Sequence, residues 1–216
     1  MTRLEWISGI LLALLIIIGL AVAGFLIFGP GVGAPSLPPN PNGDIAPTST
    51  FAGGTALEFF YSFALPEAQK WQADARLIGA TATLPRGTTR ESLITGKANW
   101  TFTFYSPTTT SIAVIAVSGS QASLIAQRAA DQVLELVELD GWQIDSPQAI
   151  DKMLNQGGND FLNDVDIVTL TMALTMDSPG RSSEWFISLI APTGGQSFTI
   201  RLNGRTGDTL TTQQTP

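Results

Sequence analysis

Trp100-Thr-Phe-Thr-Phe-Tyr-Ser-Pro107 and Trp185-Phe-Ile-Ser-Leu-Ile-Ala-Pro192 align without a gap at an offset of 85, and the match runs on to Gly119 and Gly204. Each stretch has a β-rich run, a turn of Pro, Thr and Gly type, and a second β-rich run. The second runs are Ser111-Ile-Ala-Val-Ile-Ala-Val117 and Ser197-Phe-Thr-Ile-Arg-Leu202. Two antiparallel hairpins are expected.

Upstream, Pro66-Glu67-Ala68 aligns with Pro147-Gln148-Ala149 at an offset of 81. Proline suits a first helical turn and Ser146 is a good N-cap, so a helix is expected to open each unit, over residues 66–75 and 147–155. A β-like run follows each helix, at 75–84 and at 165–176, where apolar and Thr/Ala positions alternate. The change of offset from 81 to 85 places a four-residue insertion in the second unit, with Gly157-Gly158 as its natural site. The fold class expected is α+β: two repeated units, 55–119 and 141–211, each a helix packed on a three- to four-stranded antiparallel sheet. Asn203-Gly204 is a tight-turn signal that leads to a short last strand near Leu210, with 212–216 as a tail. Between the units, Ala126, Ala130, Val133 and Val137 fall at helical spacing, which predicts a connecting helix over 120–140 ended by Asp140-Gly141.

Ahead of these units lies Trp6 to Phe28, 23 residues without a charge, and no charged residue occurs between Glu5 and Asp44. At about 1.5 Å per helical residue this length spans the roughly 30 Å hydrocarbon core of a bilayer. Ala21-Val22-Ala23 has the shape of a cleavage site, but the apolar run continues past it through Phe28, so an uncleaved transmembrane helix over 6–28 is expected. Arg3 on the short side, residues 1–5, orients the N-terminus to the cytoplasm and the body outside. Trp6 then lies at the inner interface, or serves as one more apolar residue of the span. Gly9, Ala13, Gly19 and Ala23 are small residues that permit close approach of a neighbouring helix. Residues 29–54 hold 12 Gly and Pro in 26 positions and read as an extended linker.

The chain has 216 residues, net charge -7, no histidine and no cysteine. An acidic balance repels phosphate backbones, so no nucleic acid partner is expected. Without Cys there is no disulfide, thiolate site or lipid-modified N-terminal cysteine, and without His most zinc and haem ligation and the Ser-His-Asp triad are lost. No catalytic residue, cofactor or metal is assigned. Asp160 to Asp166 is an acidic run whose spacing does not match a calcium loop, and it reads as a solvated turn. Trp100 and Trp185 are expected to anchor the sheets in the core. Trp71 and Trp142 have no counterpart in the repeat and stand as candidate partner contacts, with helix stapling as the other reading of Trp142.

The Pro-Glu/Gln-Ala helix start, the Trp-led hairpin and the closing Ile200-Arg-Leu-Asn-Gly-Arg-Thr-Gly-Asp-Thr-Leu210 resemble PepSY-type domains, here as a tandem pair over about 57–210. Those modules commonly end with an Asp-Ala-x-Thr-Gly-like turn. Asn203 and Gly204 stand in place of its Asp and Ala, and the first unit lacks the Thr-Gly ending. The resemblance implies an α+β fold and a binding or peptidase-regulating role, with no catalytic residues.

Two functions follow as expectations. The first is a non-enzymatic accessory or scaffold subunit of a larger membrane complex, with a respiratory or photosynthetic electron-transfer assembly as host. Its partners would be integral-membrane subunits and the lipid bilayer. The alternative is a tethered PepSY-like regulator that binds a peptidase or peptide.

Overall fold

The alternation of apolar and hydroxyl residues in the hairpin stretches sets the architecture. The computed structural model describes residues 55–84, 98–134, 136, 139–165, 168–176 and 182–215. Eight strands lie in one sheet: β1 (Arg76–Leu84), β2 (Asn99–Ser106), β3 (Ser111–Ser118), β4 (Gln121–Ala129), β5 (Thr169–Thr175), β6 (Glu184–Ile190), β7 (Ser197–Asn203) and β8 (Thr209–Thr215). Their order is β4-β3-β2-β1-β5-β6-β7-β8, antiparallel throughout.

A helical segment precedes each group of four strands. The first is α1 (Ala56–Phe59), a π-turn (Phe60–Ala64) and α2 (Leu65–Trp71). The second is α3 (Ser146–Met153), a π-turn (Leu154–Gly158) and α4 (Asn159–Asp164). Asp145 caps α3 in a capping box with Gln148, and a proline occupies the first turn of both α2 and α3. The second π-turn bends at Gly157, whose φ of 115° suits only glycine and whose absent Cβ leaves room for the Phe198 ring.

The expectation of two repeated helix-on-sheet units behind a transmembrane anchor is corrected. The two four-stranded groups are not separate sheets. β1 pairs with β5, with Thr81 opposite Ala173, Gly79 opposite Thr175 and Thr83 opposite Thr171. That register reads the same from either strand, so the copies meet about a local two-fold axis. The hairpins on either side match: Trp100 pairs Val117 as Trp185 pairs Leu202, and Phe102 pairs Ile115 as Ile187 pairs Ile200. A single buried cluster serves both groups. Two half-sheets of four strands would each leave an unpaired row of backbone donors and acceptors at β1 and β5, and their union satisfies both.

Three further expectations change. Residues 121–129 form β4 instead of part of a connecting helix over 120–140, and a 3-10 turn, Leu139–Gly141, precedes α3. Residues 212–215 are not a tail but belong to β8, and the acidic stretch 159–164 is helical. The transmembrane helix is no part of the fold seen here: residues 6–28 lie outside the described residues. Among the described residues no helix is long and apolar enough to cross a membrane.

The core lies on the helical face of the sheet. Phe60, from the first π-turn, stacks on Phe104 at 6.1 Å and meets Phe102 at 6.0 Å and Trp142 at 5.7 Å. Trp100 and Trp185 approach edge to face at 6.2 Å across β2 and β6. Each such aromatic pair adds about 1 kcal/mol beyond the area it buries.

Candidate functional site

Trp6, Gly9, Ala13, Gly19, Ala23 and Phe28 all lie outside the described residues. Of the two candidate partner contacts, Trp71 is half-buried on α2, and its indole N–H donates to the Gln127 side chain of β4 at 3.0 Å. It latches the helix to the edge strand. Trp142 is a core residue, which corrects its reading as a partner contact. It is 4% exposed, packs edge to face on Phe60 and Trp185, and donates to the Ile144 carbonyl at 3.0 Å. Trp185 donates to the same carbonyl at 2.7 Å, so one backbone oxygen orients two indoles.

The helices cover one face of the sheet, and the other face, enclosed at Tyr105 and Ile112 of β2 and β3, is the candidate surface. Strand pairing places Asn99, Thr83, Thr171, Ser188, Thr199 and Gln213 side by side in one row from β2 to β8. Ser118 of β3 continues it by donating to Asn99 at 3.1 Å, and Ser188 and Thr199 share a hydrogen bond of 2.6 Å. The next row holds Thr101, Thr81, Ala173, Phe186, Arg201 and Thr211. The first row carries no charge. In the second, Arg201 is paired with Glu184, so the ion pair leaves that region neutral. A broad field of hydroxyl and amide groups with a partly exposed Phe186 results. It can accept and donate hydrogen bonds over a wide area, and it offers no acid-base pair or nucleophile with an activating base.

The two edge strands differ. β4 carries Arg128, a register shift opposite Val114/Ile115 and the Trp71 latch. Bulges and edge charges are devices that deter foreign strands. β8 is Thr-Leu-Thr-Thr-Gln-Gln-Thr, exposed at every position and without a charge. Its own register shift, between Arg201 and Leu202, falls near its start and leaves Thr211 to Thr215 in regular pairing with β7.

One carboxylate is perturbed. Asp74 is held down to about 2 from the ordinary 3.8, first by the Thr108 side chain, then by the Thr108 backbone N–H and the Ser106 hydroxyl. The bonds are 2.8 Å from Thr108 N and 2.7 Å from Ser106 Oγ. These contacts tie the start of β1 to the β2–β3 turn, which is a structural role. Among the described residues no group of three acidic side chains is placed to hold a metal ion.

The edge strands and the polar row escaped sequence reasoning. The Thr-x-Thr spacings at 81/83, 101/103 and 169/171 were the signal available. They show that one face of each strand is polar, but not which strands lie beside one another.

No family model matches the chain, and no curated protein matches it either. Among solved structures, the chain is similar to that of a "putative lipoprotein" from Clostridium difficile 630, at 10% identity and a TM-score of 0.48. The match covers 70% of this chain and 90% of that one.

Proposed function

We propose that this chain is a non-catalytic, extracytoplasmic, membrane-associated accessory subunit that works by presenting its open sheet to a protein partner. The observation that supports this reading is the largely polar, nearly neutral row of Thr, Ser, Asn and Gln that runs from β2 to β8 on the face opposite the helices, in a chain of net charge -7. A sheet layer normally buries one face and leaves the other to solvent, where charged residues keep it soluble. Here the solvent face is mainly Thr, Ser, Asn and Gln, side chains that lose little on desolvation when a partner supplies matching groups. The apolar stretch 6–28 fits a site of membrane association, which would place the partner among integral-membrane subunits.

The exposed edge strand β8 favours a second reading, a tethered regulator that adds an extended peptide as a further strand. One experiment separates the two. The full chain, tagged at its N-terminus, is extracted in mild detergent, and the co-purifying proteins are identified by mass spectrometry. Stoichiometric integral-membrane proteins support the subunit reading. A captured peptidase supports the second, and recovery of the chain with neither overturns both.

A further inference from the structure

We propose that β8 pairs with β8 of a second copy of this chain, antiparallel about a two-fold axis near Thr212, so that two sheets continue as one. Three observations carry this. First, Thr209 to Thr215 is a fully exposed edge without a charge in a chain of net charge -7. Two acidic copies repel each other over most of their surfaces, and this edge is where backbones can meet without like charges in apposition. The nearest charged side chain on the adjoining strand, Arg201, is opposite Thr211 and already paired with Glu184.

Second, the strand is self-complementary. About an axis at Thr212, Thr211 faces Gln213 of the other copy and Thr212 faces itself, within the regular part of the strand. Hydroxyl and amide side chains both donate and accept, so the same set satisfies itself across a two-fold axis. Third, the fold already makes this joint once. β1 and β5 unite the two halves by antiparallel pairing about a local two-fold axis over six positions. β8 offers the regular run Thr211 to Thr215 for the same union. β4, the other edge, carries an arginine, the Trp71 latch and a register shift in mid-strand, where that of β8 falls near its start, and is excluded from the proposal for that reason.

The chain has no cysteine, so a single introduced one reports its own contacts. The full chain in detergent micelles is made as Thr212→Cys and, separately, as Ser123→Cys on β4. Paired antiparallel strands hold opposed Cα atoms at about 4.5–5.5 Å, within disulfide reach. Mild oxidation is expected to convert Thr212→Cys to a disulfide dimer and to leave Ser123→Cys monomeric. Without oxidation, sedimentation should show a dimer for the unmodified chain. Thr212→Lys, which sets two ammonium groups face to face, should weaken the dimer at least about tenfold with its circular dichroism unchanged. A monomer at all concentrations, equal crosslinking from Ser123→Cys, or a Thr212→Lys dimer of undiminished affinity would each overturn the proposal. These readouts do not depend on the co-purification result, so self-pairing and the accessory role can fail separately.

Discussion

Leu174→Ala tests whether the eight strands form one cooperative body. Leu174 is 1% exposed in β5, with Ala80 opposite it on β1 and Trp185 opposite it on β6. Neither neighbour can fill the space it would leave. Ala80 has only a methyl group, and Trp185 is pinned by its bond to the Ile144 carbonyl and by edge contacts with Trp100 and Trp142. A cavity that cannot collapse keeps the loss off the low end of the range for Leu→Ala, at about 3–4 kcal/mol. For a body of this size that lowers the midpoint by roughly 6–16 °C. The informative assay is amide hydrogen exchange on the full chain. In a single cooperative sheet, Phe102 and Ile115 in the first half should lose as much protection as Ile187 and Ile200 in the second. If the amides of β2 and β3 keep their unmodified protection while those of β6 and β7 lose theirs, the halves are independent and the argument from the β1–β5 joint is wrong.

Asp145→Ala removes an N-cap of α3 that also accepts from the Leu57 N–H of α1 at 3.1 Å. A loss of about 2 kcal/mol is expected in denaturant titration, with Asp145→Asn recovering most of it. Asp74 has a folded-state pKa below its ordinary value, so its bonds contribute stability that is fully present above about 3.8 and is lost as pH falls toward 2. Asp74→Asn should remove that part of the acid dependence, and the carboxyl resonance should titrate near 2 by NMR. Gly204→Ala drives a methyl group into Ser183, whose carbonyl oxygen lies 2.9 Å from the added carbon, at a cost of about 3 kcal/mol. Gly119→Ala has open space around it and suffers only from a φ of 58°, at about 1 kcal/mol. The two thermal melts should differ accordingly.

The equivalence of Gly119 and Gly204 shows how far the repeat can be trusted. The alignment placed both at the end of a hairpin, and both are there. The first is needed for a left-handed backbone in the β3–β4 turn. The second is needed because its N–H reaches the Ser183 carbonyl at 2.6 Å while its own carbonyl accepts from Gln143 and Ile144. One aligned letter thus meets two different demands. The helix expected over 120–140 failed for a related reason. Ala and Val at helical spacing are a weak preference, and the exposed edge of β3, an Ile- and Val-rich strand, outweighs it by pairing with whatever follows the turn at Gly119.

Local chemistry written along the chain determined the hairpins, the proline-led helix starts, the turn glycines and the burial of Trp100 and Trp185. These depend on neighbours a few residues away, or on a large side chain seeking the core. The sequence also excluded thiol and histidine chemistry by composition alone. Tertiary structure decided what no local pattern encodes: that β1 and β5 join two half-sheets into one, that Trp142 is enclosed, and that β8 is left with a free edge. Backbone pairing is blind to sequence distance. A strand's unpaired donors and acceptors are satisfied by whichever partner the whole chain brings alongside, and that choice exists only once the chain has folded.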